Sequence, residues 1–174
     1  AAASFFEGRA LLTQDRPAAG LVALERALGL AQTHQLLSVQ ANVLGNMANA
    51  YLKLGRYAEA ETAARAALIP AKDSEDSEDR ISLQMATANL GFALFGQRRY
   101  QEGMRLVDEV SAAMRRAGAL STLGRLLAEK SQALERAGRL KEALATLRER
   151  DAVMQQLAVN DRNKAISALQ EQFK

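Results

Sequence analysis

The sequence has no cysteine, no tryptophan, only two prolines and a single histidine. Without cysteine the chain makes neither disulfides nor thiolate metal sites, and the absence suits a reducing or an oxidising compartment equally. With Pro17 and Pro70 as the only prolines, long stretches carry no helix breaker, and aromatic residues amount to 5%. Abundant Ala, Leu, Glu, Arg and Gln favour helix, whereas the β-branched and aromatic residues that strands prefer are few, so the chain is expected to be all-α. No apolar run approaches the roughly 18 to 20 residues needed to cross a bilayer, and the Ala-Ala-Ala start lacks the regions of a signal peptide. The chain opens within an apparent helix at Ser4-Phe5-Phe6 and closes on Gln172-Phe173-Lys174 without a stop signal. We expect it to be a fragment of something longer.

Net charge is +3 and unevenly placed. Residues 1 to 80 carry eight Lys/Arg against ten Asp/Glu, and residues 81 to 174 carry fifteen against ten. The basic half holds Arg98, Arg99, Arg105, Arg115, Arg116, Arg125, Arg136 and Arg139, interleaved with acids such as Asp108, Glu109, Glu129 and Glu135. No reading motif or interleaved aromatic accompanies them, so no nucleic-acid partner is expected.

A repeat organises the rest. Aligned on their turns, Asp15, Gly55, Arg98 and Gly138 mark four helix-turn-helix units at nearly equal steps. Close approach of antiparallel helices requires small side chains at the crossing, and these recur on schedule. Gly8, Ala48, Gly91 and Ser131 hold that position on the first helices; twelve residues on stand Gly20, Ala60, Gly103 and Ala143. Larger apolar residues fill the space between, namely Leu11, Tyr51, Leu94 and Leu134 on the first helices and Leu24, Ala64, Val107 and Leu147 on the second. Further along the second helix come Ala27, Ala67 and Val110, until Arg150 breaks the rule. Pro17 suits the first turn of a helix, where its missing N–H is harmless, and Gly55 and Gly138 suit positive φ. The run Lys72 to Arg80 reads as a solvated acidic loop leading into a helix capped by Ser77, with Glu78 and Asp79 favourable to its dipole.

Gly55-x-Tyr57-x-x-Ala60 with Ala67-Leu68 after it and Ala48 and Tyr51 before it resembles the tetratricopeptide repeat, over nearly residues 1 to 150. The signature tryptophan is missing, and the period exceeds the usual one of about 34. HEAT-like hairpins share a period of about 40 but are not expected to combine Gly-x-Tyr with the small pair. The resemblance implies a right-handed α-solenoid of four hairpins (about 1–34, 35–72, 77–117 and 118–150) followed by a capping or connector helix over 151–174. On that tail Ile166, Leu169 and Phe173 share one face. Long-period stacks ending in such a Lys164-Ala165-Ile166, Leu169, Phe173 helix are similar to the sensory portions of bacterial membrane-bound signalling proteins. Those carry a transmembrane segment and a diguanylate cyclase or histidine kinase module beyond the stack. The resemblance implies a periplasmic, membrane-anchored setting through segments outside this chain, with a cytoplasmic regulator or a self-associating scaffold as alternatives.

Within the chain, catalytic chemistry finds no foothold. His34 falls at a helix end with no metal-ligand pattern around it. Gly91-Phe92-Ala93-Leu94-Phe95-Gly96-Gln97-Arg98 imitates the glycine spacing of a phosphate loop, but Gln97 replaces the essential lysine and no strand precedes it. Glu59 and Glu61, or Asp108 and Glu109, do not share a helix face and read as solvated surface. No enzyme, metal or cofactor is expected.

A protein or peptide ligand is expected instead. In such a stack the first helices line the concave surface. Asn42, Asn46, Asn49 and Lys53 follow the spacing of one helix face, and their amides and ammonium match a peptide backbone and a carboxylate. Arg9, Asn89 and Arg125 extend this wall, and Phe92 and Phe95 offer apolar surface. In peptide-binding members of the family the asparagine at the position of Asn49 contacts the ligand backbone, with Asn46 and Asn89 as helpers. The full basic clamp for a free C-terminus is not reproduced, because Gly45 stands where a lysine is expected. Exposed end surfaces and the tail helix also make a homodimer an expected partner.

Overall fold

A computed structural model describes residues 1–69 and 77–172, and the side chains of 1–69 and 80–171. Among these residues there are eight α-helices and no strand: α1 (Ala2–Thr13), α2 (Pro17–Thr33), α3 (Leu37–Lys53), α4 (Tyr57–Leu68), α5 (Ser77–Gly96), α6 (Tyr100–Arg116), α7 (Leu120–Arg136) and α8 (Leu140–Gln172). Consecutive helices pair as antiparallel hairpins, a solenoid-like helical repeat. The acidic run and its capping by Ser77 lie outside the described side chains.

The repeat is finer than the hairpin. Helices α2, α3, α6 and α7 each have 17 residues, and in the six linkers that are described three residues separate one helix from the next. The middle residue of each takes positive φ: Asp15, Gln35, Gly55, Arg98, Gly118 and Gly138, at 53° to 74°. Its N–H bonds a carbonyl three residues back, and the following N–H reaches five residues back, as Arg56 does to Tyr51 and Arg139 to Leu134, both at 2.9 Å. This pair of hydrogen bonds satisfies carbonyls that the end of a helix leaves free. The same corner serves within and between hairpins, so the unit of repetition is a single helix with its corner.

Two compact units divide the chain, Ala1–Val107 and a second beginning at Asp108. In the first, α3 packs on α2, α5 on α4 and α5 on α3. Its core joins Leu12, Leu21, Leu24, Ala27, Val43, Met47, Ala48, Ala64, Leu90 and Leu94. The small residues sit at the crossings as expected. A Cβ on Gly8 would lie 2.7 Å from Leu24, and one on Gly103 would lie 2.5 Å from the carbonyl oxygen of Gly91. Ala48 and Ala60 are fully buried in the second hairpin.

In the second unit α7 packs on α8; Leu123, Leu126, Leu127 and Leu134 of α7 and Ala143, Thr146 and Val153 of α8 are buried. Ser131 donates to the carbonyl of Ala143 at 3.2 Å, and a Cβ on Gly124 would meet the sulfur of Met154 at 2.7 Å. Here two expectations change. Leu147 is exposed rather than part of the hairpin filling. The tail, separated from the last hairpin at Arg150 in the sequence, is the continuation of α8, which runs 33 residues without interruption. No breaker stands between Leu140 and Gln172, and helix propagation needs none of the tertiary support that starting a new helix does.

Candidate functional site

The asparagines of α3 divide into those that stitch helices together and those that face outward. Asn42 accepts a hydrogen bond from Ser82 of α5 at 2.5 Å through its side-chain oxygen, and its backbone carbonyl accepts the amide of Asn46 at 2.7 Å. Asn89 on α5 is 2% exposed, and its amide donates to the carbonyl of Gly45 at 2.9 Å. It bridges helices and has no face left for a ligand. Phe92 and Phe95 are likewise interior, Phe95 meeting Tyr100 edge-on at 5.6 Å. Asn89 and Phe92 stand at levels of α5 equivalent to Asn46 and Asn49 of α3 but are buried there, whereas Phe95 faces Gly103 inside its own hairpin.

What remains open on the first unit is Asn49, half-buried with no side-chain hydrogen bond among the described residues, then Lys53 one turn further, and Arg9 at the position of α1 equivalent to Asn49. Asn46 is half-buried beside them. The Lys53 ammonium holds the exposed carboxylate of Asp15, in the α1–α2 corner, at 2.9 Å. The Arg9 guanidinium lies 5.6 Å from the centre of the Phe5 ring, whose neighbour Phe6 is exposed. Arg125 belongs to the second unit, exposed on α7. Cation, amide and aromatic groups thus share the first helices of the first unit.

A second polar cluster was not legible as one. Glu61, read from sequence as solvated, has a side chain only 16% exposed. It accepts Arg65 from its own helix at 2.6 Å, Gln97 at 2.7 Å and Arg99 at 3.1 Å, the last two from the α5–α6 corner. Hydrogen bonds from Arg65 first and Gln97 next, with the charge of Arg99, hold its carboxyl below the usual carboxylate range. The residues around it are packed just as closely, since a Cβ on Gly96 would enter the ring of Tyr57. This cluster latches the third hairpin onto the second. Part of it repeats: Arg56–Glu59, Arg99–Glu102 and Arg139–Glu142 are the same ion pair at the start of successive second helices. That Arg-x-x-Glu recurrence stands in the sequence at the repeat step and was the available signal. Asp108, also read as solvated, pairs with Lys130 at 2.7 Å within the second unit.

His34 ends α2 at its C-cap. Among the described residues no three His, Asp or Glu side chains gather as metal ligands, and no helix is long and apolar enough to cross a membrane. Comparison with protein-family models and with curated protein sequences returns no match for this chain.

Proposed function

We propose that this chain is a non-catalytic, protein- or peptide-binding module of the tetratricopeptide kind, serving as the sensory part of a bacterial signalling protein. One observation carries the binding reading. Asn49, Lys53 and Arg9 occupy the first helices without being consumed by the packing that takes Asn42 and Asn89. Asn49 offers both a donor and an acceptor to an extended backbone, and Lys53 and Arg9 offer charge-assisted bonds to acidic groups on it. Lys53 already holds one carboxylate, that of Asp15, in such a geometry.

The signalling reading draws support from α8. A continuous helix of 33 residues spans about 50 Å, long enough in this reading to carry a displacement of its hairpin away from the stack. In this reading the ligand shifts the packing of the hairpins and α8 carries the shift onward, to a membrane-anchored module outside this chain in a periplasmic setting.

Peptides selected on the wild-type chain from a displayed random library supply the probe. Titration calorimetry with the selected peptide on the Asn49→Ala/Lys53→Ala double variant should show an affinity loss of at least tenfold with unchanged helical circular dichroism. Undiminished affinity would remove these residues as the site.

A further inference from the structure

The corner alignment places Leu140, Leu144 and Leu147 of α8 where α2 has Pro17, Leu21 and Leu24 and where α4 has Tyr57, Glu61 and Ala64. On the earlier helices this is a buried face. Leu21 is 5% and Leu24 0% exposed, in one core cluster with Met47 and Ala50 of α3, and Ala64 is 0% exposed in the hairpin on which α5 packs. On α8 the equivalent residues are 64%, 51% and 38% exposed, with Met154 at 40% further along. The chain therefore contains its own template for what covers such a face: a first helix laid antiparallel across it.

The template also fixes a register. Gln40 of α3 donates to the carbonyl of Ala31 of α2 at 3.1 Å. Antiparallel helices pinned there set Met47 level with Leu24 and Ala50 level with Leu21, and all four belong to one core cluster. Helix α1 presents the same side of a first helix uncovered by the described residues. Its equivalents of Val43, Met47 and Ala50 are Ala3, Glu7 and Ala10, all exposed, beside Phe6 at 62%.

We propose that the Leu140–Leu144–Leu147 face of α8 is the docking site for α1 of a second copy of this chain. Transposed from the α2–α3 register, Ala10 meets Leu144, Glu7 lies level with Leu147, and Phe6 lies level with Arg148. The charges agree. Glu7 is the one charged group on that face of α1, and the leucine stripe of α8 is edged by Lys141 and Arg148, both exposed and unpaired among the described residues, while Asp151, one turn beyond Leu147, is offset by its neighbour Arg150 at 3.7 Å. The two faces differ, so the contact is heterologous: each copy offers α1 to one neighbour and α8 to another, and association proceeds head to tail without a closed pair. A single helix laid on a helix is small for a stable interface, so association is expected to be weak and to appear only at high protein concentration. The inference is independent of the peptide site, which uses none of these residues.

Sedimentation velocity and light scattering over a concentration series test it. The wild-type mass should rise with concentration beyond that of a dimer. Leu144→Glu, which spoils the α8 face, and Glu7→Arg, which spoils α1, should each stay monomeric with wild-type circular dichroism, since both side chains are exposed. Mixed in equal amounts, the two variants should form a one-to-one pair, because each retains the face that the other lacks. A wild-type chain monomeric at every concentration overturns the proposal. So does self-association that Leu144→Glu abolishes but Glu7→Arg spares, since that marks a symmetric pairing of two α8 faces.

Discussion

Replacing Gly103 by alanine pits two effects of known sign against each other. Alanine is favoured over glycine inside a helix by about 1 kcal/mol, so wherever the added methyl group has room the substitution stabilises. At Gly103 it has none. The new Cβ would sit 2.5 Å from the carbonyl oxygen of Gly91 and 2.9 Å from the ring of Phe95, and a backbone oxygen does not rotate aside as a side-chain terminus does. Helices α5 and α6 must separate, loosening the contact that buries Leu94, Phe95 and Val107. Overpacking of this kind costs about 1 to 3 kcal/mol, and with the obstacle in the main chain the upper end applies. After the helix-propensity gain, a net loss of about 2 kcal/mol is expected. Gly29, also mid-helix, has nothing within 4 Å of its would-be Cβ and serves as the control. There alanine should gain about 0.5 to 1 kcal/mol. Urea unfolding followed by circular dichroism reads both as shifts of midpoint in opposite directions. Equal stabilisation by Gly103→Ala and Gly29→Ala would refute the claim that the small residues exist to let helices touch.

Asn89→Ala removes the buried bond between α5 and the carbonyl of Gly45 and should cost about 1 to 3 kcal/mol, whereas Asn49→Ala should stay within about 0.5 kcal/mol; equal effects would erase the distinction between bridging and outward asparagines. Arg98→Gly relieves a non-glycine residue held at φ 64° and should stabilise by about 0.5 to 1 kcal/mol, part of the left-handed penalty being returned as glycine entropy; a loss of stability would show that the corner tolerates Arg98 for another reason. Glu61→Gln should cost on the order of 1 kcal/mol at neutral pH once solvent screening is allowed for. The Glu61 carboxyl is lowered from 4.5 in the folded chain, so its contribution is complete above that value and disappears as pH falls through the lower folded value. Wild type and variant should therefore converge in stability in acid, and a gap that persists there would assign the effect to packing instead of charge.

The sequence revealed most where local chemistry dictates the outcome. The small residues at the crossings and the turn positions Asp15, Gly55, Arg98 and Gly138 all take the expected places, because the need for close approach and for a left-handed residue is written in residue size and spacing. Gln35 and Gly118 form the same corner between hairpins, yet Gln35 carries no turn signature, so the single-helix step was hidden inside the hairpin step. The stop assigned at Arg150 rested on one broken rule of residue size, while helix continuation depends on the absence of breakers through Gln172. The candidate site was legible only as a helix face. Whether a polar residue on it bridges helices or meets solvent depends on what lies across from it, and Asn46 and Asn89, equivalent in the repeat, differ for that reason: Asn46 turns back to its own helix, whereas Asn89 reaches Gly45 on another. Glu61 shows the same limit, since Gln97 and Arg99 approach it from 36 and 38 residues away.

That one corner serves every described junction has a consequence for how such a chain can lengthen. Each helix with its corner reverses the direction of travel, so an insertion or duplication of one such step inverts every helix after it, exchanging the roles of first and second helices and setting Gly91 or Ser131 where a partner's small residue is needed. Two steps restore the polarity. Growth by duplication is thus restricted by parity: gains or losses of a whole hairpin leave the downstream contacts intact, while those of a lone helix scramble them, although both leave every individual helix and corner unchanged.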